Sequence, residues 1–343
     1  MTQPATTDEE RTAPDTDDFA ALRKRVIAAG CFDYAPALSV LSLVAHVIGP
    51  AAMHVAAARM PWWATLPTFV AASLLFYRIG WLMHDAAHGG TFARAAHNRV
   101  FAAVCAGVLG EFPSGWRYGH GRHHAAPNVL GRDMDQSERW DPTRRFSTEL
   151  GAALSLLFIS KYKGVALPKT LLLIGLRDGF FCYRYARRNF ARELATSIVS
   201  ITAQIAFFIA LYGAALGALC FFAHSFIGLV YLNAVFTGSH YDLPTFTPAE
   251  AERLEFAELQ VRTTRNYPPG LWSAFVFGGI EYQIEHHLFP NMPRRGFARA
   301  SREVRAFCES RGIDYQVMPF IEAVRRAMRF HVGRSESAST PST

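Results

Sequence analysis

The chain has 343 residues, of which 50% are hydrophobic and 18% charged, with a formal net charge of +7. So much apolar side chain with so little charge excludes a disordered protein. The five cysteines, Cys31, Cys105, Cys182, Cys220 and Cys308, lie far apart with no C-x-x-C pair; this excludes a disulfide framework or a zinc ribbon and reads as buried, reduced thiols.

Residues 1–18 are rich in Thr, Pro, Asp and Glu and contain no apolar stretch that could act as a secretory signal. The polar segment 1–30 is expected to be disordered and to precede one domain over residues 31–332. Pro36–Ala58 is then a run of 23 residues without Asp, Glu, Lys or Arg, and crossing a bilayer takes about 20 helical residues. Met60–Tyr77 is a second uncharged run, continued past Arg78 by Ile79–Met83. Pro61, Trp62 and Trp63 mark the tip between them, with indoles of the kind that sit at headgroup level. Val100–Gly110 and Leu150–Ser160 are apolar but, at 11 residues each, too short to cross, and fit interfacial or buried helices. Leu194–Tyr241 has 48 residues without a charge, room for two helices broken near Tyr212 and Gly213. The expected fold is an all-α integral membrane protein with four spans, about 36–58, 62–82, 194–212 and 214–238, in two hairpins. The G-x-x-x-G at Gly213 and Gly217 fits close helix packing, and the Ser-rich tail 333–343 is expected to be disordered.

Of the 35 Lys and Arg, four precede the first span, 16 lie between Met83 and Glu193, and 13 follow Tyr241. The positive-inside rule then puts both termini and the two large connecting segments in the cytoplasm. Arg59 alone marks a short tip, and Arg78 is placed to snorkel from a span end. The charge is thus expected to face a membrane surface, with no nucleic acid as partner.

Eight of the 13 histidines fall into four clusters on that cytoplasmic side. His84 and His88 form H-D-A-A-H after the second span, and residues four apart share a helical face, so both rings can point at one ion. His120, His123 and His124 form H-G-R-H-H, His240 follows the fourth span, and Q-I-E-H-H places Gln283, His286 and His287 on the spacing of the second cluster. A single H-x-x-x-H also serves packing or capping; the repetition of x-x-H-H on one side of four spans points to metal. Eight imidazoles exceed the need of one zinc, so two ions are implied. Imidazole suits Zn, Cu, Fe and Ni alike, but chemistry on an unactivated methylene chain rising from the bilayer calls for a redox metal and dioxygen, hence iron. Asp85, Asn128, Asp133, Asp135, Asp242 and Glu285 lie near enough in sequence to hold the rings in place, and Gly278 and Gly279 allow close backbone approach. His46, His54 and His224 lie inside spans and read as helix-to-helix hydrogen-bonding groups, and His97 and His331 as surface or core residues.

The stretches W-L-M-H-D-A-A-H-G-G from Trp81, W-R-Y-G-H-G-R-H-H from Trp116 and E-Y-Q-I-E-H-H-L-F-P-N-M-P-R from Glu281 resemble the membrane-bound fatty acid desaturases, the di-iron histidine-box enzymes. The resemblance runs from about the first span to Arg295. It implies four transmembrane helices under a cytoplasmic cap and two irons held by His84, His88, His120, His123, His124, His240, His286 and His287. Dioxygen as co-substrate would be activated there to remove hydrogen from two adjacent acyl methylenes, leaving a double bond and water. Gln283, where many members have a histidine, resembles the front-end and sphingolipid branches, and is a further candidate for holding the site. Those branches often carry an H-P-G-G haem motif, and these residues contain none. Nor is there a G-x-G-x-x-G, an iron–sulfur cysteine set or a C-x-x-C-H, so the expected partners are an acyl chain linked to lipid, CoA or carrier protein, membrane lipid, and a separate ferredoxin or cytochrome b5 with its reductase. Basic pairs such as Arg187–Arg188 and Arg294–Arg295 suit acidic redox or carrier proteins or anionic headgroups, as well as simple positive-inside flanks. A hydroxylase, ketolase or acetylenase on the same metal site is the alternative, and a histidine-rich metal transporter a reading from another class, which expects its ligands at mid-membrane. The Ala- and Arg-rich composition points to a bacterial inner membrane.

Overall fold

The computed structural model describes residues 16–134, 159–162, 165–168 and 176–331. Asp135, most of the 150–160 run and the tail lie outside them. Four helices are long and apolar enough to cross a membrane: Pro36–Ala57, Trp62–Ala87, Arg187–Tyr212 and Ala214–His240. The third begins seven residues before the expected boundary, because Arg187–Glu193 continues the same helix as about two polar turns. Trp62–Ala87 is interrupted at Arg78, which caps Trp62–Tyr77 and starts Ile79–Ala87. The first helix packs on the second, the third on the fourth, and the fourth on the second. Their outward side chains are apolar, with Leu38, Leu41, Val44, Ile48, Ile198 and Val199 all exposed.

The break between the last two helices falls at Gly213, whose φ of +79° is a left-handed conformation suited to glycine. Four residues on, a Cβ at Gly217 would lie 2.5 Å from the Ile209 Cα, so this glycine lets the two helices touch through their backbones. The small-residue pair therefore divides its work between a turn and a contact.

Shorter helices gather at one end of the four. Ala95–Leu109 buries Phe101, Ala102, Cys105, Ala106 and Leu109 and leaves Val100 and Val104 outside, so the expected interfacial or buried helix is half of each. Pro113–Ala125, Leu176–Tyr185, Phe256–Arg262, Leu271–Phe277, Gln283–Leu288, Arg294–Ser310 and Phe320–His331 complete the cap. The expectation of disorder through residue 30 is corrected over Thr16–Ala28, which is helical. Phe19, Leu22 and Val26 recur at helical spacing and close a core with Phe297, Ala300 and Val304 of the Arg294–Ser310 helix. The fold is helical as expected, and the correction concerns the end of the Leu150–Ser160 run: Ile159–Tyr162 and Val165–Pro168 pair as a small antiparallel ladder, so Ile159 and Ser160 are strand and not helix. The cysteines are free thiols, four buried and Cys220 half-buried.

Candidate metal centre

All eight clustered histidines meet where the four long helices join the cap, and they sort into two groups. Ring nitrogens of His84, His88, His120, His124 and His286 lie within 4.8 Å of one another, as do those of His123, His240 and His287. The sorting follows helical geometry. His120 and His124 are four apart and share a face, whereas His123, about 100° from His124, turns to the other group. His286 and His287, adjacent on the Gln283–Leu288 helix, diverge in the same way. Gly278 and Gly279, with φ of +61° and +107°, make the turn that delivers this helix; a Cβ on Gly278 would lie 3.1 Å from the Trp81 ring.

In the three-member group every Nδ1 faces an oxygen. His123 Nδ1 donates to Asp133 Oδ2 at 2.9 Å, His240 Nδ1 to the Thr263 carbonyl at 2.9 Å, and His287 Nδ1 to Gln260 Oε1 at 2.9 Å. With Nδ1 protonated, each Nε2 keeps its lone pair and points it into the group. The Gln283 amide stands beside them, 3.0 Å from His240 Nε2, and so is level with the ring nitrogens. In the five-member group, Nε2 atoms face each other: His84 to His120 at 3.3 Å, His120 to His124 at 3.1 Å and His124 to His286 at 3.0 Å. The Nε2 atoms of His88 and His287 are buried without a hydrogen-bond partner.

Converging lone pairs repel unless a proton or a cation lies among them, and burial resists the proton. Loss of solvation, reinforced by neighbouring imidazoles, holds His88, His124, His286 and His287 well below 6.5. Neutral, converging, dry imidazoles are the ligand form for a transition metal. The residues therefore fit the pair of metal ions that their number implied.

The supporting residues differ in part from the sequence expectation. Asp85 lies 3.4 Å from His84 Nδ1 and accepts from Arg294 Nε at 2.5 Å. Arg294 also reaches the Gly278 and Trp81 carbonyls, so it is a bracket inside the protein and not a docking charge. Asn128 donates to the His240 carbonyl at 3.0 Å, and its own N–H donates to Asp133 at 2.8 Å. Asp242 instead pairs with buried Arg265 at 2.8 Å. Glu285, its carboxyl pushed up to about 7 by burial, accepts from Asn266 and Tyr315. Neither carboxylate bonds a ring. Sequence reasoning missed Gln260, which holds His287 and also donates to the His124 carbonyl at 3.0 Å, and the Thr263 carbonyl. It missed too Trp116, stacked on His120 at 4.4 Å.

The other histidines stay apart. Arg78 Nε donates to His46 Nε2 at 3.1 Å, so Arg78 turns into the helices where snorkelling was expected. His224 meets Ser73 Oγ at 3.0 Å, a helix-to-helix bond as expected. His54 departs from the expectation: its ring has no hydrogen-bond partner and sits among Phe69, Phe207, Phe208 and His224. His97 is exposed.

Residues 60–319 match the family model described as fatty acid desaturase. An acyl-lipid (8-3)-desaturase of Rebecca salina is 29% identical over 319 residues, covering 90% of this chain and 72% of its own length. A delta(5) fatty acid desaturase of Caenorhabditis elegans is 27% identical, covering 90% and 72%. A delta(8)-fatty-acid desaturase of Euglena gracilis is 26% identical, covering 88% and 74%.

Proposed function

Since the chain belongs to the fatty acid desaturase family and is an oxidoreductase, we propose that it introduces a carbon–carbon double bond into an acyl chain at a histidine-held di-iron centre, with the four long helices in a bilayer and the cap in the cytoplasm. The single observation that carries this is the convergence of eight imidazoles, seven buried and His88 half-buried, in two adjoining groups at the mouth of an apolar helical bundle. His84, His88, His120, His124 and His286 would hold one iron. His123, His240 and His287 would hold the other, with the Gln283 amide 3.0 Å from His240 Nε2.

Bound there, the irons supply the reductive activation of dioxygen that an unactivated methylene pair requires. The balance is a saturated two-carbon unit, dioxygen, two electrons and two protons giving the alkene and two waters. The electrons come from a separate donor of the ferredoxin or cytochrome b5 class. The protein's own part is to fix and to exclude. Asp133, Gln260 and the Thr263 carbonyl hold three Nδ1–H groups, so that the rings cannot rotate or change tautomer. Trp81, Val235, Phe277 and Ile280 form a buried apolar layer next to His84 that keeps water from the site. Basic residues flanking the spans support the cytoplasmic side for the cap, and the Ala- and Arg-rich composition supports a bacterial inner membrane. The relatives' names differ in position, delta(5) against delta(8), so the position is read from the product.

The test is the lipid profile of a bacterial host expressing the wild-type chain or His123→Ala with a donor system, by mass spectrometry with double-bond localisation. An unsaturated product made only by the wild type is expected. Hydroxylated, keto or triple-bonded chains instead would move the assignment to another oxidation on the same scaffold, and an unchanged profile with donor and iron both supplied would overturn it.

A further inference from the structure

Between Arg265 and Glu281 the sequence runs fifteen residues without a charge, N-Y-P-P-G-L-W-S-A-F-V-F-G-G-I. Its central helix, Leu271–Phe277, belongs to the cap by sequence, yet its most apolar side chains face outward. Leu271 is 94% exposed, Trp272 74% and Phe275 55%, while Phe277 is buried against Trp81. Three large hydrophobic side chains on two turns of a helix are not ordinary for a surface bathed by water.

The helix is anchored to the long helices below the metal centre. Tyr231 donates its hydroxyl to the Val276 carbonyl and accepts from Trp81 Nε1 at 2.8 Å. The Arg78 guanidinium lies 5.3 Å from the Phe275 ring centroid and donates to His46 of the first long helix. Arg78 precedes His84 by six residues and Tyr231 precedes His240 by nine, so these anchors sit about 9 and 13 Å along their helices from the histidines, on the bundle side. His46 carries the contact to a helix whose exposed Leu41, Val44 and Ile48 continue the apolar surface. Trp62 and Trp63, 84% and 67% exposed, mark the opposite end of the same bundle.

We propose that Leu271–Phe277 is an interfacial anchor, with Leu271, Trp272 and Phe275 inserted at the headgroup–acyl boundary of the cytoplasmic leaflet. This rests on the membrane placement given above and adds that the cap does not stand clear of the bilayer: it dips into it beside the metal centre. The occupant is lipid and not a soluble protein, because the segment is joined to the long helices through Tyr231, Arg78 and His46 and itself carries no charge with which to choose a protein partner. Indole is the side chain suited to that depth. Trp81, clustered with Phe277 of this helix, lies edge-on to His84 with ring centroids 6.4 Å apart.

The test is nitroxide depth measurement on full-length protein in phosphatidylcholine–phosphatidylglycerol nanodiscs, in a Cys220→Ser background whose other cysteines are buried. Labels go at Trp272→Cys, at the still more exposed Leu271→Cys, at Leu41→Cys as lipid reference and at Glu309→Cys as water reference. For positions 271 and 272 the oxygen-to-nickel-chelate collision ratio is expected within about twofold of that at 41 and about tenfold above that at 309. If 271 and 272 match 309 while 41 stays in lipid, the anchor is wrong and the membrane placement stands. If 41 also matches 309, the membrane placement fails and the anchor with it.

Discussion

The two histidine groups are built differently. The group of His123, His240 and His287 is steered from outside: a carboxylate, a main-chain carbonyl and an amide oxygen each take an Nδ1 proton, and the Gln283 amide adjoins His240 Nε2. The group of His84, His88, His120, His124 and His286 is crowded from within, with three successive Nε2 contacts of 3.0–3.3 Å and Asp85 as a longer outer contact. A small group leans on its supports, and a large one leans on number. Losing a support should therefore harm the first group more than the second.

The largest effect is expected from removing a ring. His124→Ala or His287→Ala should each abolish desaturation and lower bound iron while the protein stays in the membrane fraction; full turnover by both would sink the ligand assignment. Next come the supports. Asp133→Asn or Gln260→Leu should lower iron affinity or rate by roughly 10–100-fold, read by iron titration and product formation. Asp85→Asn should cost less, and the reverse order would break the comparison drawn above.

Acid comes third. His88, His124, His286 and His287 are held well below 6.5 when folded and return to about 6.5 when unfolded. Below that pH the unfolded chain binds more protons than the folded one, so stability is lost as pH falls and is fully present above it. The melting temperature of iron-depleted protein in detergent should be flat from pH 8 to 7 and fall below about 6.5; a flat profile to pH 5 would mean that these rings are not buried together. The smallest effect belongs to His54, which lies outside both groups. His54→Phe should leave iron content unchanged and stabilise the protein by up to about 1 kcal/mol, because it removes an unpaired buried polar ring.

The histidine clusters were legible because their spacings are local: three and four along a helix put rings on neighbouring faces wherever that helix goes. The four apolar helices were legible for a similar reason, as length and absence of charge are properties of a single segment. What could not be read is what distant segments do together. Gln260 sits 27 residues before His287 in a short helix with no pattern around it, and the Thr263 carbonyl is main chain, which any residue would supply. The sorting of His123 away from His124 needs the partner helices to be in place. Thr16–Ala28 was hidden by its six polar and charged residues among thirteen, since only Phe19, Leu22 and Val26 mark its buried stripe.

The most direct measurement is the iron-to-protein ratio of purified wild type beside His240→Ala, each reconstituted under the same iron supply. Two irons per wild-type chain and about one in the variant, the one held by the five-member group, are expected from ligand sets that bind separately. An unchanged ratio in His240→Ala, or a single iron in the wild type, would contradict a two-iron centre divided as five and three.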